Sequence, residues 1–324
     1  MKTIIGHINQ RKQIDVLRRS EKTARSLIFT GPSGVGKKMI AERFLMSLFC
    51  QGSDKKPCGV CPNCLQVMSR TYPDFYLLSP NENGAIPVGE PDEPGTMRNL
   101  IAKLSMRPTL GFFAVIVDGI ERASEEAQNA FLKTLEEPPA GSCIVLVSSE
   151  RSRVLPTILS RCQEVRFSPL PDADIAQIVS DAVPSDEVMR FVTGCSNGSA
   201  ELAGWLAAEE NRKNALDLAA KIRSAAVAGN SISIPSALAA KPKSGPDPVD
   251  VCINIFAWFA KIAASGSELP CNFIDDIYID DMDALLSINK LLVSVKRGRS
   301  NNLNASLQIK AEAYAAFDDS RTAS

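Results

Sequence analysis

The sequence predicts an α/β domain built on a parallel sheet, followed by a small helical domain and a helical C-terminal domain. Three observations carry this expectation. β-rich and helix-like segments alternate through the first half. A Gly-rich loop joins a short strand-like run to a helix-like one. The β-rich runs then stop near Phe167, and the remaining pattern is helical.

The elements follow in order. Residues 26–30 (SLIFT) form a short β-rich run before the Gly-rich turn. In 39–49, Ile40, Phe44, Leu45 and Leu48 recur on one helix face. Residues 74–79 (DFYLLS) predict a second strand and 96–104 a helix. Residues 112–117 (FFAVIV) are continuously apolar, as in a strand buried on both faces. Ser124 has the chemistry of an N-cap, with Glu125 and Glu126 in the first turn, and that helix must stop at Pro138-Pro139. Residues 144–148 (IVLVS) are another buried strand. Helices are expected over 172–182, 186–193, 200–208 and 209–228, then a Ser/Pro/Gly-rich linker over 231–248. Further helices are expected over 249–264, 280–298 and 303–317. The implied domains are 1–167, 168–230 and 249–324, with 231–248 as the link.

Composition narrows the function classes. The chain has 324 residues, 36 Lys+Arg against 37 Asp+Glu, and a formal net charge of -1. A globally basic surface is excluded, so any nucleic-acid contact must be local. The N-terminal MKTIIGHINQRKQ lacks the apolar core of a targeting segment. The apolar stretch 251–264 is interrupted by Asn254 and Lys261 and is expected to be a buried helix rather than a membrane span. A cytoplasmic protein with reduced thiols is the expectation.

Gly31, Pro32, Ser33, Gly34, Val35, Gly36, Lys37 and Lys38 fit G-x-x-x-x-G-K-[S/T] except at the last position. Glycines let backbone N–H groups converge on phosphate oxygens at a helix N-terminus, and Lys37 neutralises their charge. Lys38 stands where a hydroxyl normally reaches Mg²⁺; an ammonium has no acceptor and repels a divalent cation. Asp118 ends the 112–117 strand, where a metal-positioning Asp is expected. Gly119 follows it and cannot polarise a water. Ser148-Ser149 closes the next strand, where a polar residue can sense a γ-phosphate.

Cys50, Cys58, Cys61 and Cys64 form C-x7-C-x2-C-x2-C. Thiolates two residues apart reach one ion from a tight turn, and four of them complete a closed tetrahedral structural Zn²⁺ site. An Fe–S cluster uses the same donors, but no redox chemistry is otherwise implied. The five other cysteines (143, 162, 195, 252 and 271) are scattered, as for core thiols.

Several stretches together resemble the bacterial clamp-loader subunits of DNA polymerase III, which are AAA+ proteins. They are Ile4-Ile5-Gly6-His7, the phosphate loop with the four-Cys insertion behind it, Tyr72-Pro73-Asp74, the run 129–139 (NAFLKTLEEPP) and the run 156–163 (PTILSRCQ). The resemblance covers about the first two hundred residues. It implies an AAA+ phosphate-loop domain with an inserted zinc module at about 50–64, a helical lid and an all-α collar. It implies ATP or ADP at the loop, with Lys38 working against Mg²⁺. Lys38, Gly119 and Glu201, which stands where a motor subunit carries a nucleotide-sensing Arg, all weaken hydrolysis. Within the family these departures resemble the delta-prime branch, a stator, more than the gamma/tau motors. The resemblance implies that Arg161 acts as an arginine finger in trans, worth roughly 10³–10⁵ in rate in nucleotide hydrolases. It implies a hetero-oligomer with gamma/tau and delta subunits, indirect action on the sliding clamp, and primed DNA as a further partner, touched through local bases such as Arg122 or Lys133.

Overall fold

The computed structural model describes residues 3–19, 26–52, 56–227, 245–266, 274 and 282–300. The expected helix at 303–317 and most of the expected linker lie outside them. The chain divides into two compact units, Met1–Pro169 and Leu170–Ser324.

The first unit is a five-stranded parallel sheet with helices around it. Its strands are β1 (Ser26–Thr30), β2 (Phe75–Leu78), β3 (Phe113–Asp118), β4 (Ser142–Ser148) and β5 (Gln163–Arg166), in the order β2-β3-β4-β1-β5. The three central strands are buried along nearly their whole length, which is why SLIFT, FAVIV and CIVLV contain so little polar alternation. Around them lie α1 (Ile8–Arg19), α2 (Lys37–Phe49), α3 (Pro62–Met68), α4 (Met97–Leu104), α5 (Glu125–Glu136) and α6 (Pro156–Leu159). α2 buries Ile40, Ala41, Phe44, Leu45 and Phe49 in one cluster with Leu27, Phe29, Ala114 and Val145. α5 puts Phe131 and Leu135 into the other cluster with Ile28, Val115 and Leu146.

Local chemistry sets the ends of these helices. Ser124 Oγ accepts the Ala127 N–H at 3.1 Å, and Thr96 Oγ1 accepts that of Asn99 at 3.3 Å. Each satisfies a donor with no partner inside its own helix. Asp74, almost fully buried ahead of β2, accepts the N–H groups of Thr109 at 2.8 Å and Leu110 at 2.6 Å. The Asp of Tyr72-Pro73-Asp74 thus ties β2 to the turn that leads into β3.

The structure adds elements that the periodicity does not reveal and moves several boundaries. α1 (INQRKQIDVLRR) buries Ile14 alone, so it carries little apolar period. β5 is a polar edge strand with Val165 buried and Gln163 and Arg166 exposed. β3 includes Asp118, and β4 begins at Ser142, two residues before the expected 144–148.

The second unit is helical among the described residues. It contains α7 (Asp172–Val179), α8 (Asp186–Ser196), α9 (Ala200–Ala207), α10 (Glu209–Val227), α11 (Pro248–Ser265) and α12 (Met282–Ser300). α8 runs three residues beyond the expected 193, closed by Asn197 in the left-handed region. α11 has 18 residues and is long and apolar enough to cross a membrane by length and composition. Its Val251, Ile255, Phe256 and Phe259 are instead buried in one cluster with Phe191, Leu206 and Leu292, in line with the expected buried helix.

Candidate phosphate-loop, cysteine and arginine sites

The phosphate loop runs from the end of β1 to the start of α2. Gly31 has φ +143°, and a Cβ there would overlap the Phe167 carbonyl oxygen, so only glycine fits. Phe167 N–H donates to the Thr30 carbonyl at 2.7 Å and fixes that close approach. Gly36, left-handed at φ 98°, precedes α2 and turns the loop into the helix. Val35 is buried, and its carbonyl accepts the His7 Nε2–H at 2.8 Å. The His7 ring also meets Phe167 edge-on, with centroids 5.0 Å apart. The family-like segment Ile4-Ile5-Gly6-His7 therefore braces the loop from its buried side.

The loop's two lysines do different work. Lys37 is buried, and its Nζ donates to the carbonyls of Gly31 at 2.7 Å and Pro32 at 2.5 Å and to Ser149 Oγ at 3.2 Å. Lys38 Nζ lies 2.9 Å from Asp118 Oδ2. An ammonium therefore sits on the carboxylate expected to position a divalent cation. Pro32 and Ser33 are exposed on the outer rim of the loop.

Ser148 was the expected γ-phosphate sensor. It is fully buried, and its Oγ accepts the Glu150 N–H at 3.2 Å; its neighbour Ser149 reaches Lys37. Ser149 N–H in turn donates to Glu121 Oε1 at 3.1 Å, while Glu121 Oε2 is buried with no hydrogen-bond partner. Glu121 thus reaches this site through Ser149.

The four cysteines converge. Cys50 caps the C-terminus of α2, Cys61 is the N-cap of α3, and Cys64 lies in the first turn of α3. Their four sulfur atoms all lie within 4.8 Å of one another, with Cys58 and Cys64 at 4.0 Å. Tetrahedral ligation with Zn–S of about 2.3 Å separates sulfurs by about 3.8 Å, so the set closes onto one ion with small shifts. Backbone N–H groups of Gly52 and Cys58 point at Cys50 Sγ, at 3.3 and 3.2 Å. N–H donation from Cys64 and Gln51 brings the Cys61 thiol down to about 6, whereas burial pushes Cys64 up to about 12. Gly52 packs closely on the cluster, since a Cβ there would lie 3.0 Å from Cys58 Cβ and 3.4 Å from Cys50 Sγ. Asn63 Nδ2 donates to the Phe49 carbonyl at 2.9 Å and anchors α3 to the end of α2. The donor set and its spacing are compatible with a zinc site. By contrast, burial pushes Cys143, Cys162 and Cys252 up to about 12, as befits core thiols. Cys271 lies outside the described residues.

Arg161 follows α6, two residues before β5. Pro156 starts α6, and buried Gln128 of α5 holds the approach to it: Gln128 Nε2 donates to the Arg153 carbonyl at 3.2 Å, and Gln128 Oε1 accepts the Leu155 N–H at 2.9 Å. The Arg161 guanidinium is partly exposed. It donates to Glu136 Oε1 and to the Thr157 carbonyl, the latter at 2.9 Å. Arg122 and Lys133 are exposed, and Glu201 lies exposed in the first turn of α9.

The family model described as "DNA polymerase III, delta subunit" matches residues 8–171, half of the chain. The chain belongs to that DNA polymerase III family. The expected resemblance is borne out on the stretch that builds the phosphate loop, the cysteine cluster and the Arg161 turn. DNA polymerase III subunit delta' of Pseudomonas aeruginosa is 32% identical over 181 residues, covering 54% of this chain and 53% of that one. The delta' subunit of Bacillus subtilis is 26% identical over 181 residues, covering 56% and 53%. DNA polymerase III subunit tau/gamma of Haemophilus influenzae is 29% identical over 192 residues, covering 58% and 27%. The chain spans about half the length of the curated delta' relatives it matches. Its sheet has the matching architecture: β4 lies between β1, which leads into the phosphate loop, and β3, which ends in Asp118. This is the additional-strand arrangement of an AAA+ phosphate-loop domain.

Proposed function

We propose that this chain is a delta-prime-type stator of the clamp loader. In this reading it is one wall of a heteropentameric ring that loads the sliding clamp on primed DNA, and it lends Arg161 to a neighbouring ATPase subunit. The observation that carries the reading is the Lys38–Asp118 ion pair beside Gly119, in a chain of this family. A motor needs a metal on that Asp and an acid to activate water; this chain offers an ammonium and a glycine.

The place of Arg161 supports a role in trans. Its planar, permanently charged guanidinium is partly exposed and suits a phosphate. A neighbour's γ-phosphate would compete with Glu136 for it. The delta' and tau/gamma names of the relatives support gamma/tau subunits as partners; the delta subunit, clamp and DNA follow from the clamp-loader reading. Exposed Arg122 and Lys133 are the local bases available to DNA. Residues 168–230 serve as the lid and 249–324 as the collar, and the cysteine cluster holds a structural Zn²⁺. The setting is the cytoplasm.

A second reading, an ATP-hydrolysing gamma/tau-like motor, is favoured by the tau/gamma relatives alone. Turnover by the purified chain separates the two. The stator reading expects no Mg²⁺-dependent ATP hydrolysis above background, with or without primed DNA, and co-elution with gamma/tau subunits. Robust turnover that Lys37→Ala abolishes would establish the motor instead.

A further inference from the structure

We propose that the Lys38 ammonium replaces the divalent cation at Asp118, so that this chain's phosphate loop binds a nucleoside polyphosphate without a metal. The inference rests on the stator reading only in taking the loop as non-hydrolysing.

The geometry supports a replacement rather than a simple loss. Lys38 lies in the first turn of α2 and reaches from there to Asp118 at the end of β3, with Nζ 2.9 Å from Oδ2. Mg²⁺ requires near-octahedral oxygen ligands at about 2.0–2.1 Å. Here residue 38 gives no ligand oxygen, and the carboxylate oxygen that would serve already faces a positive charge. A cation entering beside Oδ2 would have to displace the ammonium and then remain next to it.

The phosphate-binding parts, in contrast, are kept. The glycines hold the loop open at the N-terminus of α2, as Gly31 and Gly36 show by their positive φ values. Lys37 Nζ is gathered on the inner side of the loop by two carbonyls and Ser149. These are weak neutral acceptors that phosphate oxygens outcompete. An ammonium has three N–H donors; with Asp118 on one, Lys38 has others to offer a phosphate oxygen. Lys38 then supplies the second positive charge that a bridging metal would otherwise bring. It does so without orienting an attacking water, so binding and hydrolysis are uncoupled.

The test is a titration of the full chain with a fluorescent ADP analogue, once with Mg²⁺ and once with excess EDTA. The wild-type dissociation constant is expected to differ by less than about twofold between the two, whereas Lys38→Thr, which restores the hydroxyl, should bind at least about tenfold tighter with Mg²⁺. A wild-type chain that binds about tenfold tighter with Mg²⁺ overturns the proposal. So does a folded Lys38→Thr chain indifferent to the metal, or a folded wild-type chain that binds in neither buffer. If Lys38→Thr does not fold, the two wild-type titrations decide alone. Hydrolysis by the assembled complex is not read in this experiment, so its failure leaves the stator reading intact.

Discussion

The loop at residues 31–38 and the loop at 50–64 face the same physical problem and solve it in opposite ways. Both adjoin an end of α2, and both gather groups around a centre of charge. In the first, the chain supplies its own cations: Lys37 lies against loop carbonyls and Lys38 against Asp118. In the second, four sulfur atoms crowd within 4.8 Å, and burial holds one of them as a thiol unless a cation ionises it. The difference teaches that retained motif geometry does not settle which ion a site needs. At the first, an ammonium occupies the carboxylate, while at the second, at the other end of α2, the four sulfurs form a donor set compatible with zinc.

The largest effect should come from breaking the second loop. Structural zinc contributes roughly 10–16 kcal/mol of apparent binding energy in zinc-finger peptides, and here it would tie α3 to the core shared with α2. Elemental analysis should return about one Zn per chain, and Cys64→Ser should remove it and lower the thermal midpoint more than any single change in the phosphate loop. A metal-free chain of unchanged stability would end the comparison.

Next in size is Gly31→Ala, which breaks the first loop by steric means alone. The positive φ and the overlap with the Phe167 carbonyl should together cost about 2–4 kcal/mol in chemical denaturation. A loss below about 1 kcal/mol would mean that β1 and the segment after β5 separate easily.

The smallest effect sharpens the picture of how the loop is supported. Burial pushes the Glu164 carboxyl up, but hydrogen bonds from Arg166, Thr30 and Arg151 outweigh this and hold it below its ordinary value. A depressed carboxylate contributes stability that is present above the unfolded value, about 4.5, and is lost as pH falls through the folded one. Glu164→Gln should therefore lower stability near neutral pH and narrow its gap to wild type below about pH 4. Parallel pH profiles for the two proteins would contradict this.

What the sequence could reveal follows the physics of each element. Strands buried on both faces are legible because their runs are apolar throughout. The phosphate loop and the cysteine spacing are legible because each residue type has a chemical reason to stand where it does. β5 escapes because an edge strand with one buried side chain leaves no pattern, and α1 escapes because only Ile14, with partly buried Leu17, packs on the core. Ser149 rather than Ser148 reaches Lys37 because successive residues at a strand end point to opposite sides. Which one faces the loop is a matter of register. The grip of Gln128 on the backbone leading to Arg161 was hidden for another reason: a glutamine on a helix is ordinarily solvated, and only the fold places backbone partners beside it.

The central claim is that this chain donates to a catalytic site rather than running one. It is tested most directly by ATP hydrolysis in a reconstituted clamp loader carrying either Arg161→Ala or Lys37→Ala in this subunit. The account predicts that Arg161→Ala cuts hydrolysis at the neighbouring site by roughly 10³-fold or more with the complex still assembled, and that Lys37→Ala leaves it near wild type. The reverse pattern, with Lys37→Ala silencing the complex and Arg161→Ala sparing it, would contradict the account.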